Sequence, residues 1–411
     1  VGQVSTIEHL IQNESRFSLR RAVERLREGL FDPLAVNLLT MDENRLNQSF
    51  STGLQSIDIG ESDYLCVRGS YGQGKSHSLA YLKDCALSKG YAVSLVNLDL
   101  REVPFNQFDL VYRKLMSQLK FPDGKHFIKE WKKWASEQLK CDEQLQAQDL
   151  LPSVMPHRFK MILTALLHKN LKLSPKQKLL KKHRDFRPKE YNYSLEKALM
   201  GDALSTFNLK KIFKYRDVPA YREQSLACRG NEPYVQMIQG LACLFRKMNY
   251  KGWIILFDEC ESIAQLRLHQ RVQSYSLLNR FFQKKQFPYI YPVFAFTDDF
   301  FDKVHTESYE KTRIKKNEEM RIFPADFSIA WKSLQEHRLQ DFSDHEWEGL
   351  QERLIRLYSK AYQTNHPNLT AASNMKATLE RMKGQETRLK LKAMVNHLDL
   401  EAQEDSLGFS I

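Results

Sequence analysis

The sequence predicts an α/β fold in which a parallel sheet carries helices on both faces. Three observations predict it. Strand-like apolar runs alternate with helical patterns between residues 64 and 119; two further runs follow at 252–259 and 289–297; and a glycine cluster separates the first run from its helix. Parallel neighbours need crossover connections, which this alternation supplies.

Taken in order, residues 5–30 (STIEHLIQNESRFSLRRAVERLREGL) place apolar residues at helical spacing, and Ser15 or Ser18 is suited to cap the second helix. YLCVR (64–68) reads as a strand, HSLAYLKDCALSKG (77–90) as a helix closed by Gly90, YAVSLVNLDL (91–100) as a second strand and FNQFDLVYRKLMSQL (105–119) as an amphipathic helix. From about 120 to 235 the chain turns polar, basic and helical, with Trp131 and Trp134, and with Pro152, Pro156, Pro175 and Pro188 as punctuation. GWIILFDE (252–259) restores the strand pattern; a helix through about 284 and the strand YIYPVFAFT (289–297) follow. From about 328 onward only helices are expected. The implied organisation is an N-terminal helical segment (1–50) packing on the site, the first half of the sheet (51–120), a basic helical insertion (121–235), the second half of the sheet (236–327) and a C-terminal helical lid (328–411).

With 411 residues, 42% of them hydrophobic and 27% charged, the composition is that of a globular protein with sizeable cores. The longest apolar runs, Trp253–Phe257 and Tyr291–Phe296, are too short to span a bilayer, which excludes membrane transport. No basic segment followed by an apolar stretch opens the chain, so no signal peptide is expected. The six cysteines are scattered without CxxC or Cys/His spacing; this argues against structural zinc and disulfides and for a reducing cytoplasm. The net charge of +12 is concentrated: residues 158–189 hold eleven Lys or Arg and one acidic residue, Asp185. Such a block suits the phosphates of double-stranded DNA, although a solvated helical face has the same composition.

Gly69-Ser70-Tyr71-Gly72-Gln73-Gly74-Lys75-Ser76 fits G-x-x-x-x-G-K-[ST]. By average glycine usage a chain of this length shows that pattern by chance about once in a hundred. Backbone amides that turn inward to wrap a phosphate need glycine, Lys75 offers a point charge, and Ser76 and His77 open the following helix, whose positive end adds to the attraction. A phosphate cradle of this kind implies a bound nucleotide, ATP, with Mg²⁺ on the Ser76 hydroxyl. The metal also needs a carboxylate at the tip of another strand. Ile254–Phe257 followed by Asp258 and Glu259 supplies it, with Asp258 on the Mg²⁺ shell and Glu259 polarising the attacking water; the role of Glu261 is open. Thr297, and after it Asp298, ends the next strand and is placed to sense the terminal phosphate, unless both merely cap the helix DDFFDKV. Arg313, Arg321 and Arg388 are candidates for neutralising charge in the transition state, against the default of surface arginines.

With these motifs assembled, the chain resembles the ATP-binding proteins of BREX-type phage-defence systems, the BrxC/BrxD class, within the AAA+/STAND branch of P-loop ATPases. The likeness rests on SRFSLRRAVERLREGL, on YLCVRGSYGQGKSHSLAYLKDCALSKGYAVSLVNLD with its RGxYGxGK loop, on VPFNQFDLVYRKLMSQL, on GWIILFDECESIAQLR with its DExE pattern, and on FPYIYPVFAFTDDFFD. It covers most of 15–120 and 235–305. The resemblance implies an AAA+-like P-loop NTPase fold, ATP binding and hydrolysis, a helical lid carrying Arg388, a bridging arginine such as Arg321, and work on or near DNA beside a helicase or another defence subunit, as a homo-oligomer if a neighbour lends the arginine. The sequence departs from the pattern at Ser70 and Gln73 and lacks a clear arginine-finger stretch. A nucleotide-dependent adaptor or helicase-loader-like switch with little turnover is the alternative.

Overall fold

The computed structural model describes residues 11–30, 32–41, 43–168, 188–313, 323–363, 380–382 and 385–407. Among the described residues the helices α1 (Arg16–Glu28), α2 (Pro33–Leu39) and α3 (Glu43–Asp58) precede the sheet. Ser15 caps α1 by accepting from the Ser18 amide at 3.1 Å, and Gly29 closes it in the left-handed conformation. Buried Asp32 caps α2 through the Leu34 amide and pairs with Arg21.

Strands β1 (Leu65–Arg68), β2 (Ala92–Asn97), β3 (Trp253–Asp258), β4 (Ile290–Phe296) and β5 (Glu336–Arg338) form one sheet in the order β2-β3-β4-β1-β5. Every pairing between these strands is parallel. The C-terminal ends of all five strands therefore share one edge. The register sets Asn97 beside Asp258 and Arg68 beside Phe296, so the glycine loop, the acidic pair and Thr297 leave the sheet together. Between β1 and β2 the chain crosses β4 and β3, and β1 itself lies between β4 and β5. A change of winding direction at such a strand is where open α/β sheets bind ligands.

Strands β1–β4 read as largely apolar runs because both faces are covered. Within β3, Trp253, Ile255 and Phe257 enter one core while Ile254 and Leu256 enter the other. The second core is built with α3 and with α4 (Lys75–Ser88), the helix after the glycine loop. Gly53 lets α3 lie directly on Tyr291, whose ring a Cβ at that position would overlap.

The first core extends into the insertion. Behind α5 (Phe108–Ser117) stand α6 (Phe127–Cys141), α7 (His157–Leu167), α8 (Pro188–Leu199), α9 (Thr206–Tyr215) and α10 (Glu232–Lys247), which feeds β3. Trp131 is fully buried there and donates to the Leu163 carbonyl oxygen at 3.1 Å. The segment is helical as expected among the described residues, and it is packed into the main core. Most of the basic block, 169–187, lies outside the described residues. Within the described part, Arg158 donates to the carbonyl oxygens of Leu204 (2.6 Å) and Leu226 (3.3 Å), and Lys160 to that of Ser153 (3.1 Å).

One element differs from expectation. Residues 336–338, read as part of a helix, form β5 and pair with Cys66–Arg68 at the sheet edge. After β4 come α11 (Asp298–Arg313) and then, beyond β5, α12 (Asp344–Tyr362) and α13 (Thr387–Leu407). Together with α1 and α2, the last two form a third core around Leu19, Val23, Leu354, Leu357 and Leu398. Arg27 of α1 reaches Asp399 of α13 with two bonds of 2.7 Å, and Tyr358 donates to the same carboxylate at 2.8 Å. Planar two-point pairing of this kind fixes angle as well as distance. No described helix is long and apolar enough to cross a membrane, and all six cysteines are free.

Candidate functional site

The loop from Gly69 to Gly74 folds as β1 and α4 require. Gly72 has φ +79° and Gly74 φ +99°, a region that side-chain-bearing residues rarely adopt. Gly74 caps α4 with no side-chain bond, which leaves the first-turn amides of the helix for an anionic partner. Lys75 is 8% exposed and folds back, its Nζ donating to the carbonyl oxygens of Gly69 (3.1 Å) and Ser70 (3.0 Å). Gln73 bridges outward: its Oε1 accepts from the Ser70 amide at 2.6 Å and its Nε2 donates to Asp341 at 2.8 Å. Tyr71 projects to solvent from the loop tip.

A cavity of about 210 Å³ opens over this loop. Its wall includes Tyr71 through Ser78, so Gly72, Gln73, Gly74, Lys75, Ser76 and His77 lie together, and Glu259 and Glu261 face it from the end of β3. Gly69 and Ser70 are not part of the lining; their carbonyl oxygens accept from Lys75, which is. Asp258 is 4% exposed and does not line the cavity; its Oδ1 accepts from the Glu259 amide at 3.0 Å. The Glu259 backbone holds φ 58° and ψ 36°, the left-handed region, a local strain that turns the chain abruptly after the strand. Desolvation, and then the charge of Asp258, raises the Glu259 carboxyl above its ordinary range, against the pull of Lys75. Desolvation likewise raises Glu261. Three carboxylates and one lysine at this strand edge leave an excess of negative charge.

The opposite walls come from the two ends of the chain. Leu26, Val36 and Leu46 contribute from α1, α2 and α3 and Thr40 from the cap of α2; Phe342 precedes α12, Glu386 precedes α13 and Arg388 lies in its first turn. Arg388 packs on Gly29, where a Cβ would come within 2.8 Å of its Nε. Glu386 covers Gly72 in the same way, its Cγ 2.6 Å from a Cβ built there. Thr40 donates to the Val36 carbonyl oxygen at 2.7 Å, so its hydroxyl accepts from His77 Nε2 at 2.8 Å. Burial pushes the His77 imidazole down to about 4.

Other expected residues fall elsewhere. Thr297 is half-buried at the end of β4, beside the Gly69 amide that donates to Phe296, and does not line the cavity. Asp298 is engaged by Arg68 at 2.9 Å; that guanidinium also holds Glu336 at 2.9 Å and covers the Phe301 ring. It thus ties the end of β1 to α11 and β5. Arg321 lies outside the described residues, and Arg313 ends α11. The contacts of Glu386, Thr40 and Leu26 with the site were not read from the sequence, because no local pattern marks a residue that meets the loop only through tertiary folding.

No curated protein matches the sequence. One family model does, over residues 16–159 and 230–410, which takes in the glycine loop, the acidic pair and the C-terminal helices but little of the insertion beyond α6. By that match the chain belongs to the family of BREX system ATP-binding proteins, BrxC/D.

Proposed function

We propose that this protein is an AAA+-like ATPase of BREX phage defence that couples Mg²⁺-dependent ATP hydrolysis to conformational change in a defence complex. The observation that carries this reading is the shared cavity, in which the loop residues Gly72–Ser76 face Glu259. In the proposed arrangement the amides at the start of α4 and Lys75 hold the β- and γ-phosphates, which requires Lys75 to leave the Gly69 and Ser70 carbonyls. The Ser76 hydroxyl and the Asp258 carboxylate give an oxygen donor set suited to Mg²⁺. Among the described residues no group of three His, Cys, Asp or Glu is placed to hold a metal, and a Mg²⁺ held here would draw its remaining ligands from phosphate and water oxygens. Glu259 polarises the attacking water, Thr297 orients the terminal phosphate from β4, and Arg388 acts as the arginine of a C-terminal lid. Arg321, from this copy or a neighbouring one, neutralises charge in the transition state.

A Glu259→Gln variant tests hydrolysis. It is expected to bind ATP as the wild type does and to retain it, with turnover reduced by about 100-fold or more. Unchanged turnover would remove Glu259 from the chemistry, and would favour the adaptor reading if the wild type also released no phosphate. A partner subunit of the defence complex, such as a helicase, would read the conformational change. Double-stranded DNA is the proposed ligand of 158–189: ATPase activity should rise with DNA at low salt and the increment should vanish at high salt. Equal activity with and without DNA at both salts would argue for a protein partner alone.

A further inference from the structure

The carboxylates of Asp32, Glu259, Glu261, Glu346 and Glu386 are among the groups that line the cavity. Asp32 is held by Arg21 and the Leu34 amide, Glu346 by Ser343, and Glu259 and Glu261 stand at the end of β3. Glu386 lies on the glycine loop itself. A Cβ built on Gly72 would come within 2.6 Å of its Cγ and 2.8 Å of its carboxyl carbon, Cδ.

The cations of the same wall do not answer this charge. Lys75 Nζ is directed at the Gly69 and Ser70 carbonyls, Arg45 Nη1 donates to Gln340 Oε1 at 2.9 Å, and the Nε of Arg388 packs against Gly29. Glu386 makes no ion pair and no side-chain hydrogen bond with another described residue. Its place is set by the backbone: its carbonyl oxygen accepts from the amides of Leu389 (3.0 Å) and Lys390 (3.1 Å), the bonds that begin α13. That helix is anchored in turn by Asp399 on Arg27. A half-buried carboxylate fixed against a loop that suits anions opposes any other anion arriving there, because like charges repel more strongly where water is partly excluded.

We propose that Glu386 is an autoinhibitory group of this site: its charge competes with the phosphates of ATP for the loop and lowers the affinity that the loop alone would give. This rests on the reading that Gly72–Ser76 hold the phosphates. With the charge at 386 removed, an incoming phosphate meets the amides at the start of α4 and Lys75 without a rival anion on Gly72. The effect is on binding, since no bond of the nucleotide is made or broken by this residue.

The test measures Mg-ATP affinity and thermal unfolding in full-length wild type, Glu386→Gln, Glu386→Lys and Glu386→Asp. Glutamine keeps the shape and removes the charge, lysine reverses the charge, and aspartate retains it. Glu386→Gln should bind about 10-fold more tightly than wild type, and Glu386→Lys at least as tightly as Glu386→Gln. Glu386→Asp should stay within about threefold of wild type. Affinity of Glu386→Gln within about twofold of wild type would overturn the proposal and leave ATP binding standing. So would an equal gain in Glu386→Asp, which would trace the effect to a lost contact rather than to charge. Weaker binding by all three variants, whatever their melting temperatures, would mark Glu386 as a support of the site and overturn the proposal as well. No ATP binding by either folded wild type or folded Glu386→Gln would instead remove the reading on which it rests.

Discussion

His77 joins two distant parts of the chain through its hydrogen bond to Thr40. Its pKa is pushed down to about 4, so the unfolded chain binds the proton more readily between that value and the ordinary 6.5. The sign follows: the contribution to stability is complete above about pH 6.5 and is lost as pH falls toward 4. Stability measured by urea unfolding should decline over that window more steeply in the wild type than in His77→Gln, by up to about 1.4 kcal/mol per pH unit. Equal slopes would show that the ring is not held neutral. At this scale the sequence was informative where chemistry dictates spacing. Gly72, Gly74, Lys75 and Ser76 stand out because their spacing arises rarely by chance, and all four line one cavity. Thr40 and Glu386 were silent because ordinary residues acquire their place only by folding. Asp298 illustrates the converse, since its suggestive position at a strand end is taken up by Arg68.

Among the elements, apolar strands buried on both faces are the readiest to recognise, as β3 and β4 show. The short β5 escaped notice for a physical reason. Only His337 of Glu336-His337-Arg338 is buried, and the strand exists through its pairing with β1 rather than through its own pattern. Its turn into the sheet is reinforced by the Arg68–Glu336 pair. The helix α3 depends on a similarly non-local fact, the close approach of Gly53 to Tyr291, which stacks on Phe50 with ring centroids 5.3 Å apart. Gly53→Ala favours the helix locally yet overpacks this contact. The overpacking should prevail, lowering stability by about 1–3 kcal/mol in chemical denaturation. A neutral or stabilising effect would mean that α3 shifts freely on the sheet.

For the whole molecule, the notable feature is that the first and last described helices share a core although they are far apart in sequence. Cluster residues of α1 and α2 interlock with those of α12 and α13, and Arg27 is held by Asp399. This assembly and the sheet edge line the same cavity. That arrangement was only partly legible: the helices could be read from periodicity, whereas their joint packing is a property of the fold. The basic insertion was legible as helical but its charge was not legible as function, and Arg158 spends its guanidinium on backbone carbonyls. The measurement that bears most directly on the central claim is the equilibrium affinity for ATP in the presence of Mg²⁺, compared between wild type and Lys75→Ala. The account predicts saturable binding to the wild type and a loss of roughly 10- to 100-fold in the variant, the effect of removing one charge-assisted contact. Equal affinity in the two proteins, or no binding by a folded wild type, would contradict it.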